Sequence, residues 1–103
     1  AAVIVVDEFP DKAQCQQIAA EINLSETAFV KPLGNNREFH IRWFTPKVEV
    51  ELCGHATLAA SHILFQEKLS HGGLETTVRV ISAADNKEKA SLNLENIIFP
   101  SPK

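Results

Sequence analysis

Residues 54–69 constrain the fold of this sequence more than any other stretch, because they predict a helix with apolar side chains on nearly every side. A helix of that kind is usually buried in the middle of a domain. The other elements must then surround it and cover its faces. The apolar positions are Ala56, Leu58, Ala59, Ala60, Ile63, Leu64 and Phe65.

Short β-type segments precede this helix. Residues 3–6 form a continuous apolar run of valine and isoleucine, which is typical of a buried strand. Residues 38–44 alternate, with Phe39, Ile41 and Trp43 on one face and polar residues on the other. The sequence therefore predicts one buried strand and one half-buried strand.

Further strands are shorter or lie after the helix. Residues 27–30 and 48–50 predict extended segments. Residues 76–82 and 89–94 alternate again on either side of a turn, and this arrangement predicts an antiparallel hairpin. The total is about six strands.

A second helix is predicted over residues 11–22. Asp11, followed three residues later by Gln14, resembles a capping box, and apolar residues then recur at helical spacing. The fold class is therefore α+β: a curved, mostly antiparallel sheet wrapped around the central apolar helix, with the amphipathic helix outside. With 103 residues, the chain forms one domain.

Composition excludes several classes of protein. The net charge is −3 and no run of basic residues occurs, which argues against nucleic acid as a partner. No apolar run approaches the roughly 20 residues of a membrane-spanning helix. No signal-peptide pattern opens the chain, and two cysteines do not make a disulfide scaffold, so the reducing cytoplasm is the expected compartment.

The segment ELCGHATL, residues 51–58, places reactive side chains at the predicted start of the central helix. The first N–H groups of a helix lack intrahelical partners and favour an anion such as a substrate carboxylate. Gly54 would let a ligand approach the backbone closely, or it would simply ease the turn into the helix. His55 could shuttle a proton near neutral pH, or it could pack without chemistry.

Cys53 lies at the same helix start, where the helix dipole should favour its thiolate. The alternative is that Cys53 is a small buried apolar residue, which is the commoner role of a free cysteine. His62 lies two helical turns beyond His55, or about 10 Å away. This separation is too large for one metal ion, and no other spacing in the sequence suits zinc. No metal site is therefore predicted.

Glu26 lies at the start of the segment 27–30, among apolar and small residues. Desolvation should raise the pKa of such a carboxyl group unless another group pairs with it. A carboxyl group with a raised pKa can both take and return a proton near neutral pH. The alternative is an exposed glutamate in a turn.

Three segments in order, NLSETAFV, HIRWFTP and ELCGHATLAASHILF, closely resemble the phenazine-biosynthesis PhzF-like isomerase family. That family has the diaminopimelate-epimerase-like fold. The resemblance covers nearly the whole chain, because AAVIVVDEF at the start also resembles the family's second strand. Glu26 and His55, separated by 29 positions, lie in the first and third segments.

The resemblance implies an enzyme that transfers a proton between carbons of a small carboxylated metabolite, without metal or organic cofactor. Glu26 would be the catalytic acid/base, and His55 would assist it in the substrate cleft. The backbone amides of Gly54, His55 and Ala56 would receive the substrate carboxylate, with Cys53 beside them in the binding site.

Members of the family have two similar halves, and the active site lies between them. We therefore expect residues 1–103 to be a single N-terminal domain, truncated at both ends, that needs a C-terminal sister domain. The isolated chain should have little activity. Its exposed apolar surface should favour self-association into a homo-oligomer.

Two other functions remain open from the sequence. A cysteine directly before glycine is one of two catalytic thiols in the related proline racemases and diaminopimelate epimerases, so a racemase or epimerase that uses Cys53 is one alternative. A non-catalytic module that binds a small molecule or a protein is the other.

Overall fold

The computed structural model describes residues 1–34, 38–51, 53–70, 78–92 and 97–98. Two helices and seven strands lie within these residues. The helices are α1 (Lys12–Ile22) and α2 (Gly54–Ser70). The strands are β1 (Ala2–Val5), β2 (Thr27–Pro32), β3 (Glu38–Phe44), β4 (Glu49–Val50), β5 (Val78–Ser82), β6 (Glu88–Leu92) and β7 (Ile97–Ile98).

The described strands form a single sheet in the order β1-β2-β3-β5-β6-β7, with the short strand β4 paired to β3. Four strand pairs are antiparallel. The pairs β1–β2 and β3–β5 are parallel, and each is connected through a helix, as parallel neighbours require. The predicted α+β class with a mostly antiparallel sheet is confirmed. The sheet does not close into a barrel.

Helix α2 packs on one face of the sheet through small side chains. Ala56 and Ala60 are fully buried against the sheet, and Leu64 extends the contact along the helix. Alanine keeps the helix close to the strands because it has no side chain beyond Cβ. The sheet side of this core consists of Ala28, Val30, Phe39, Ile41, Trp43, Val80 and Ala90.

The outer face of α2 is less covered than the sequence predicted. Leu58 is 37% exposed and Ile63 is 41% exposed. The helix is therefore buried on the side of the open sheet and accessible on the other. Within the described part of the chain, no helix combines the length and the hydropathy that crossing a membrane would need.

Helix α1 covers the opposite face of the sheet. Cys15 and Ala19 are buried against Phe29 and Phe44, whose rings meet edge to face with centroids 5.5 Å apart. The predicted cap is present, because the Asp11 carboxylate accepts a hydrogen bond of 2.8 Å from the backbone N–H of Gln14.

The predicted strands are present within the described residues, but the one predicted to be buried, over residues 3–6, lies at the edge of the sheet, and its Val5 is 53% exposed. The alternation over residues 38–44 is confirmed, since Phe39, Ile41 and Trp43 are all buried. Strands β5 and β6 form the predicted antiparallel hairpin, with Asn86 in the left-handed conformation at its turn. The predicted hairpin ends at 76–77 and 93–94 lie outside the described residues.

A bidentate ion pair links β3 and β4 on the α1 face. Arg42 donates two hydrogen bonds of 2.8 Å to Glu49, and both side chains are 21% exposed. The guanidinium also lies over the rings of Phe9 and Phe44, at 5.7 and 5.4 Å from their centroids. The hydrogen bonds from Arg42 lower the pKa of Glu49 below its ordinary value.

Replacing Glu49 by glutamine should therefore destabilise the chain in a pH-dependent way. At pH 7 the loss should be roughly 1–3 kcal/mol, because the half-buried guanidinium loses its charged partner. The folded-state pKa of Glu49 is depressed, so its contribution is complete above its unfolded pKa of about 4.3. This contribution is lost as the pH falls through the folded pKa.

Chemical denaturation of the wild type and of Glu49→Gln at several pH values measures this difference. The gap in the free energy of unfolding should shrink steadily below about pH 4. Glu51→Gln is the matched control, because Glu51 is exposed on the same segment. A gap that is the same at pH 7 and pH 3 would show that the ion pair does not stabilise the fold.

Candidate functional site

The start of α2 lies against the start of β2 and brings two predicted site residues into direct contact. The thiol of Cys53 donates a hydrogen bond of 3.0 Å to Oε1 of Glu26. Glu26 directly precedes β2, and its side chain lies on the same face as Ala28 and Val30, the face that α2 covers. The backbone carbonyl of Glu26 accepts a hydrogen bond of 3.0 Å from Ala2, which extends the β1–β2 pairing to this residue.

Glu26 is half-buried, and its pKa is lowered rather than raised. A hydrogen bond from the Ser25 side chain is the largest cause, and the hydrogen bond from Cys53 is the next. Burial opposes the shift, whereas the charges of the Ala1 amino group and His55 add to it. The predicted rise in the pKa of Glu26 is therefore wrong for this structure, because the carboxylate has found hydrogen-bond donors.

Cys53 shows the opposite shift. Burial is the largest cause and raises the pKa of the thiol, and the neighbouring carboxylate of Glu26 raises it further. The backbone N–H groups of Ala56 and His55 act in the other direction, since both form hydrogen bonds to the sulfur. The helix start does favour the thiolate, as predicted, but burial and the carboxylate of Glu26 together raise the pKa of the thiol by more. The thiol is protonated at neutral pH.

The other predicted residues lie at the same helix start. Gly54 and His55 are exposed, while Ala56 is buried as part of the core. Apart from its chain neighbours and the backbone of its own helix, no described heavy atom lies within 4 Å of the position that a Cβ at Gly54 would occupy. Its φ is outside the positive range that favours glycine, so the fold described here would accept a larger residue at this position.

Two residues that the sequence analysis did not single out complete the surroundings of Cys53. The hydroxyl of Thr57 donates to the Cys53 carbonyl at 2.7 Å, and the indole N–H of Trp43 donates to that hydroxyl at 2.9 Å. Signals for both were present: a buried tryptophan needs a partner for its N–H, and threonine in a helix can bond the carbonyl four residues before it.

Two cavities lie away from this site. They measure about 460 and 720 Å³ and adjoin Lys12 and Glu49 on the α1 side, and neither is lined by Glu26, Cys53 or His55. Within the described ranges, no three His, Cys, Asp or Glu side chains are grouped as metal ligands would be. The chemistry that the described site offers is an ionised carboxylate, a neutral thiol and the backbone amides of a helix start.

Comparison with known proteins identifies the fold. The mixed sheet with its long apolar helix is the fold of PhzF-type proteins: a PhzF family protein from Enterococcus faecalis matches with a TM-score of 0.74 and 36% identity, over 94% of this chain and 35% of that one. A protein from Pseudomonas aeruginosa described as a predicted epimerase matches with a TM-score of 0.67 and 25% identity, over 86% of this chain and 30% of that one.

The family profile described as phenazine biosynthesis-like protein matches residues 1–98, and the chain belongs to this family. An uncharacterised isomerase of Halalkalibacterium halodurans is 52% identical over 66 residues, which are 64% of this chain and 24% of that protein. The mouse phenazine biosynthesis-like domain-containing protein 2 is 37% identical over 98% of this chain and 38% of its own length. The chain therefore spans well under half the length of these relatives.

The contact between Cys53 and Glu26 gives a direct test of the site's electrostatics. Replacing Glu26 by glutamine removes a negative charge that favours the protonated thiol, so the pKa of Cys53 should fall. The thiolate is the form that reacts with iodoacetamide. The rate of alkylation of Cys53 at about pH 7.5 should therefore rise severalfold, since a fall of one unit raises the thiolate population about tenfold.

The rate is measured by mass spectrometry of the peptide that contains Cys53, which separates it from the buried Cys15. Glu21→Gln is the matched control, because Glu21 is an exposed glutamate on α1. An unchanged alkylation profile in Glu26→Gln would mean that the two side chains are not in contact in solution.

Proposed function

We propose that this chain carries one half of the active site of a cofactor-independent isomerase, in which Glu26 moves a proton between carbons of a small carboxylated metabolite. Membership of the phenazine biosynthesis-like family and the isomerase names of its relatives support this class of reaction. The observation that carries the proposal is the hydrogen bond between Cys53 and Glu26. It fixes a carboxylate beside the start of α2.

The opposite pKa shifts of the two side chains support different roles for them. A pair of titratable groups whose pKa values are pushed apart separates naturally into a base and an acid. Glu26, ionised, would accept a proton from a substrate carbon and then return it to another carbon, so that the carboxylate is regenerated. Cys53, protonated, would orient that carboxylate by donating to one of its oxygens.

The start of α2 would hold the substrate. A carboxylate group approaching Gly54 would meet open space and the positive end of the helix dipole. The backbone N–H groups of His55 and Ala56 lower the pKa of the Cys53 thiol, which supports a position for them on this side of the helix. His55 is exposed next to them and would assist in binding and in handling the proton.

A further domain would complete the site. The relatives that this chain matches are much longer than it is, and α2 carries exposed apolar side chains at Leu58 and Ile63. We propose that a C-terminal sister domain faces the site, and that the chain by itself is nearly inactive, self-associates and works in the cytoplasm. Turnover by the isolated chain would contradict this part of the proposal.

A racemase or epimerase that uses Cys53 as its base is the second candidate. The Cys53–Gly54 pair and the similarity to the protein described as a predicted epimerase favour it. The raised pKa of the Cys53 thiol argues against it, because a thiol base must lose its proton before it can act. A domain that binds the metabolite without turnover would show neither reaction.

Exchange of substrate hydrogen with solvent distinguishes these candidates. The probes are unsaturated cyclic carboxylic acids and α-amino acids, incubated in D₂O with the chain joined to its sister domain. Glu26→Gln should lower deuterium incorporation by roughly 10²–10⁴-fold, the usual contribution of a general base. Cys53→Ser should retain most of it, because a hydroxyl still donates to Glu26 but is a poor base.

Mass spectrometry and NMR of the probe acids measure the incorporation. Loss of exchange in Cys53→Ser together with retention in Glu26→Gln would replace the proposal with the thiol mechanism. Binding of a probe acid without any exchange in the wild type would favour the non-catalytic module.

Gly54→Ala tests the binding role separately from the fold. The added methyl group meets open space, so the free energy of unfolding should stay the same or rise by up to about 1 kcal/mol. The same methyl group would stand where the carboxylate approaches. Affinity for benzoate or succinate should therefore fall by about tenfold, equivalent to roughly 1.4 kcal/mol.

Amide NMR shifts of residues 54–56 during titration of benzoate and succinate measure this affinity. Leu58→Ala, one turn along the exposed face of α2, is the control and should leave the binding unchanged. Equal affinity of Gly54→Ala and wild type, or shifts that avoid residues 54–56, would place the carboxylate elsewhere.

A further inference from the structure

Three hydrogen bonds connect the sheet to the carboxylate of Glu26, with the covalent structure of Cys53 between the second and the third. The indole N–H of Trp43 donates to the Thr57 hydroxyl at 2.9 Å, and this hydroxyl donates to the Cys53 carbonyl at 2.7 Å. The thiol of Cys53 then donates to Glu26 at 3.0 Å. The chain of contacts joins β3, the first turn of α2 and the residue that precedes β2.

The direction of the first two hydrogen bonds is fixed by chemistry. An indole nitrogen can only donate, so the Thr57 hydroxyl must accept a hydrogen bond from Trp43. The hydroxyl then donates its single proton to the Cys53 carbonyl. Both Trp43 and Thr57 are 1% exposed, so water cannot easily substitute for either partner. The arrangement therefore has one orientation, and it holds the backbone of Cys53 in place.

The same pair of strands positions both ends of the chain of contacts. Trp43 on β3 is paired with Ala28 on β2, two residues after Glu26 and on the same face. Movement of the helix start away from β3 would therefore also move Cys53 away from Glu26. The distance between the Cys53 thiol and the Glu26 carboxylate therefore depends on how closely the start of α2 packs against the sheet.

The hydrogen bond from the Thr57 hydroxyl adds to what the helix itself requires. The Cys53 carbonyl already accepts the ordinary helical hydrogen bond from the Thr57 N–H at 3.0 Å. One turn further along, the hydroxyl of Ser61 is equally buried but has no hydrogen-bond partner within the described part of the chain. A buried hydroxyl on this face of α2 therefore does not always have a hydrogen-bond partner. The hydrogen bonds of Thr57 with Trp43 and Cys53 are particular to this site.

We propose that Trp43 and Thr57 are positioning residues, which hold Cys53 at hydrogen-bonding distance from Glu26. The inference rests on the proposed function, in which Glu26 transfers the proton. The simpler account is that the two residues only stabilise the core. That account predicts a loss of stability on substitution but no selective change in the chemistry of Cys53.

The test compares the alkylation of Cys53 by iodoacetamide across pH in four variants. Thr57→Val removes the hydroxyl at nearly constant volume, and Thr57→Ser restores it. Trp43 is the only tryptophan in the chain, and its replacement by benzothienylalanine exchanges the N–H for sulfur with little change of shape. Ser61→Ala is the matched control for loss of a buried hydroxyl from the same helix face.

Thr57→Val and the benzothienylalanine variant should each react severalfold faster than wild type at about pH 7.5. When Cys53 leaves its half-buried position beside Glu26, the pKa of its thiol falls back toward the ordinary value. Each fall of one pKa unit raises the fraction of thiolate about tenfold. Thr57→Ser and Ser61→Ala should follow the wild-type profile. None of the four changes touches Glu26, His55 or the Ala1 amino group, the charged groups that act on this pair.

A wild-type profile in Thr57→Val, with the fold verified by circular dichroism, would overturn the proposal. So would an equal acceleration in Ser61→Ala. If Thr57→Val does not fold, the benzothienylalanine variant decides by the same criterion. The readout needs no substrate, so failure of Glu26 as the proton carrier in the exchange experiment and failure of the positioning role appear in separate measurements.

Discussion

The close packing of α2 on the sheet is the constraint from which the rest of this structure follows. Ala56 and Ala60 present almost no side chain to the strands, so the helix backbone approaches β2 and β3 more closely than leucine would allow. Because the helix lies so close to the sheet, its first turn reaches the start of β2. Cys53 meets Glu26, and Thr57 meets Trp43, because the helix lies close enough to the sheet for short side chains to touch.

This packing also explains why the two reactive groups are shifted in opposite directions. Burial between helix and sheet disfavours the thiolate of Cys53, while Ser25 and Cys53 together supply hydrogen bonds that favour the carboxylate of Glu26. These shifts reinforce the states that the two groups already favour at neutral pH, an ionised carboxylate and a protonated thiol. The hydrogen bond between them holds the two states side by side.

Much of the architecture was predictable from the sequence, because it depends on local patterns. Alternation identified β3 and placed Trp43 on its buried side, and the Asp11 cap marked the start of α1. The segments around Glu26 and Gly54 carry the resemblance to the family, which the family profile confirms. The parallel pairings of β1 with β2 and of β3 with β5 were not predicted, since they depend on how the helices cross the sheet. The pKa shifts of Glu26 and Cys53 have the opposite sign to the predicted ones, because they depend on the hydrogen bonds from Ser25 and Cys53 to the carboxylate and on the burial of the thiol, which arise only in the fold.

The pairing of Trp43 with Thr57 has a practical consequence. The chain has a single tryptophan, and its indole is anchored to the first turn of the helix on which the candidate site is built. The intrinsic fluorescence of the protein therefore originates at one place, within two hydrogen bonds of Cys53. Its emission would shift to longer wavelength when water reaches the ring, so an ordinary fluorimeter would follow the docking of this helix without any added label.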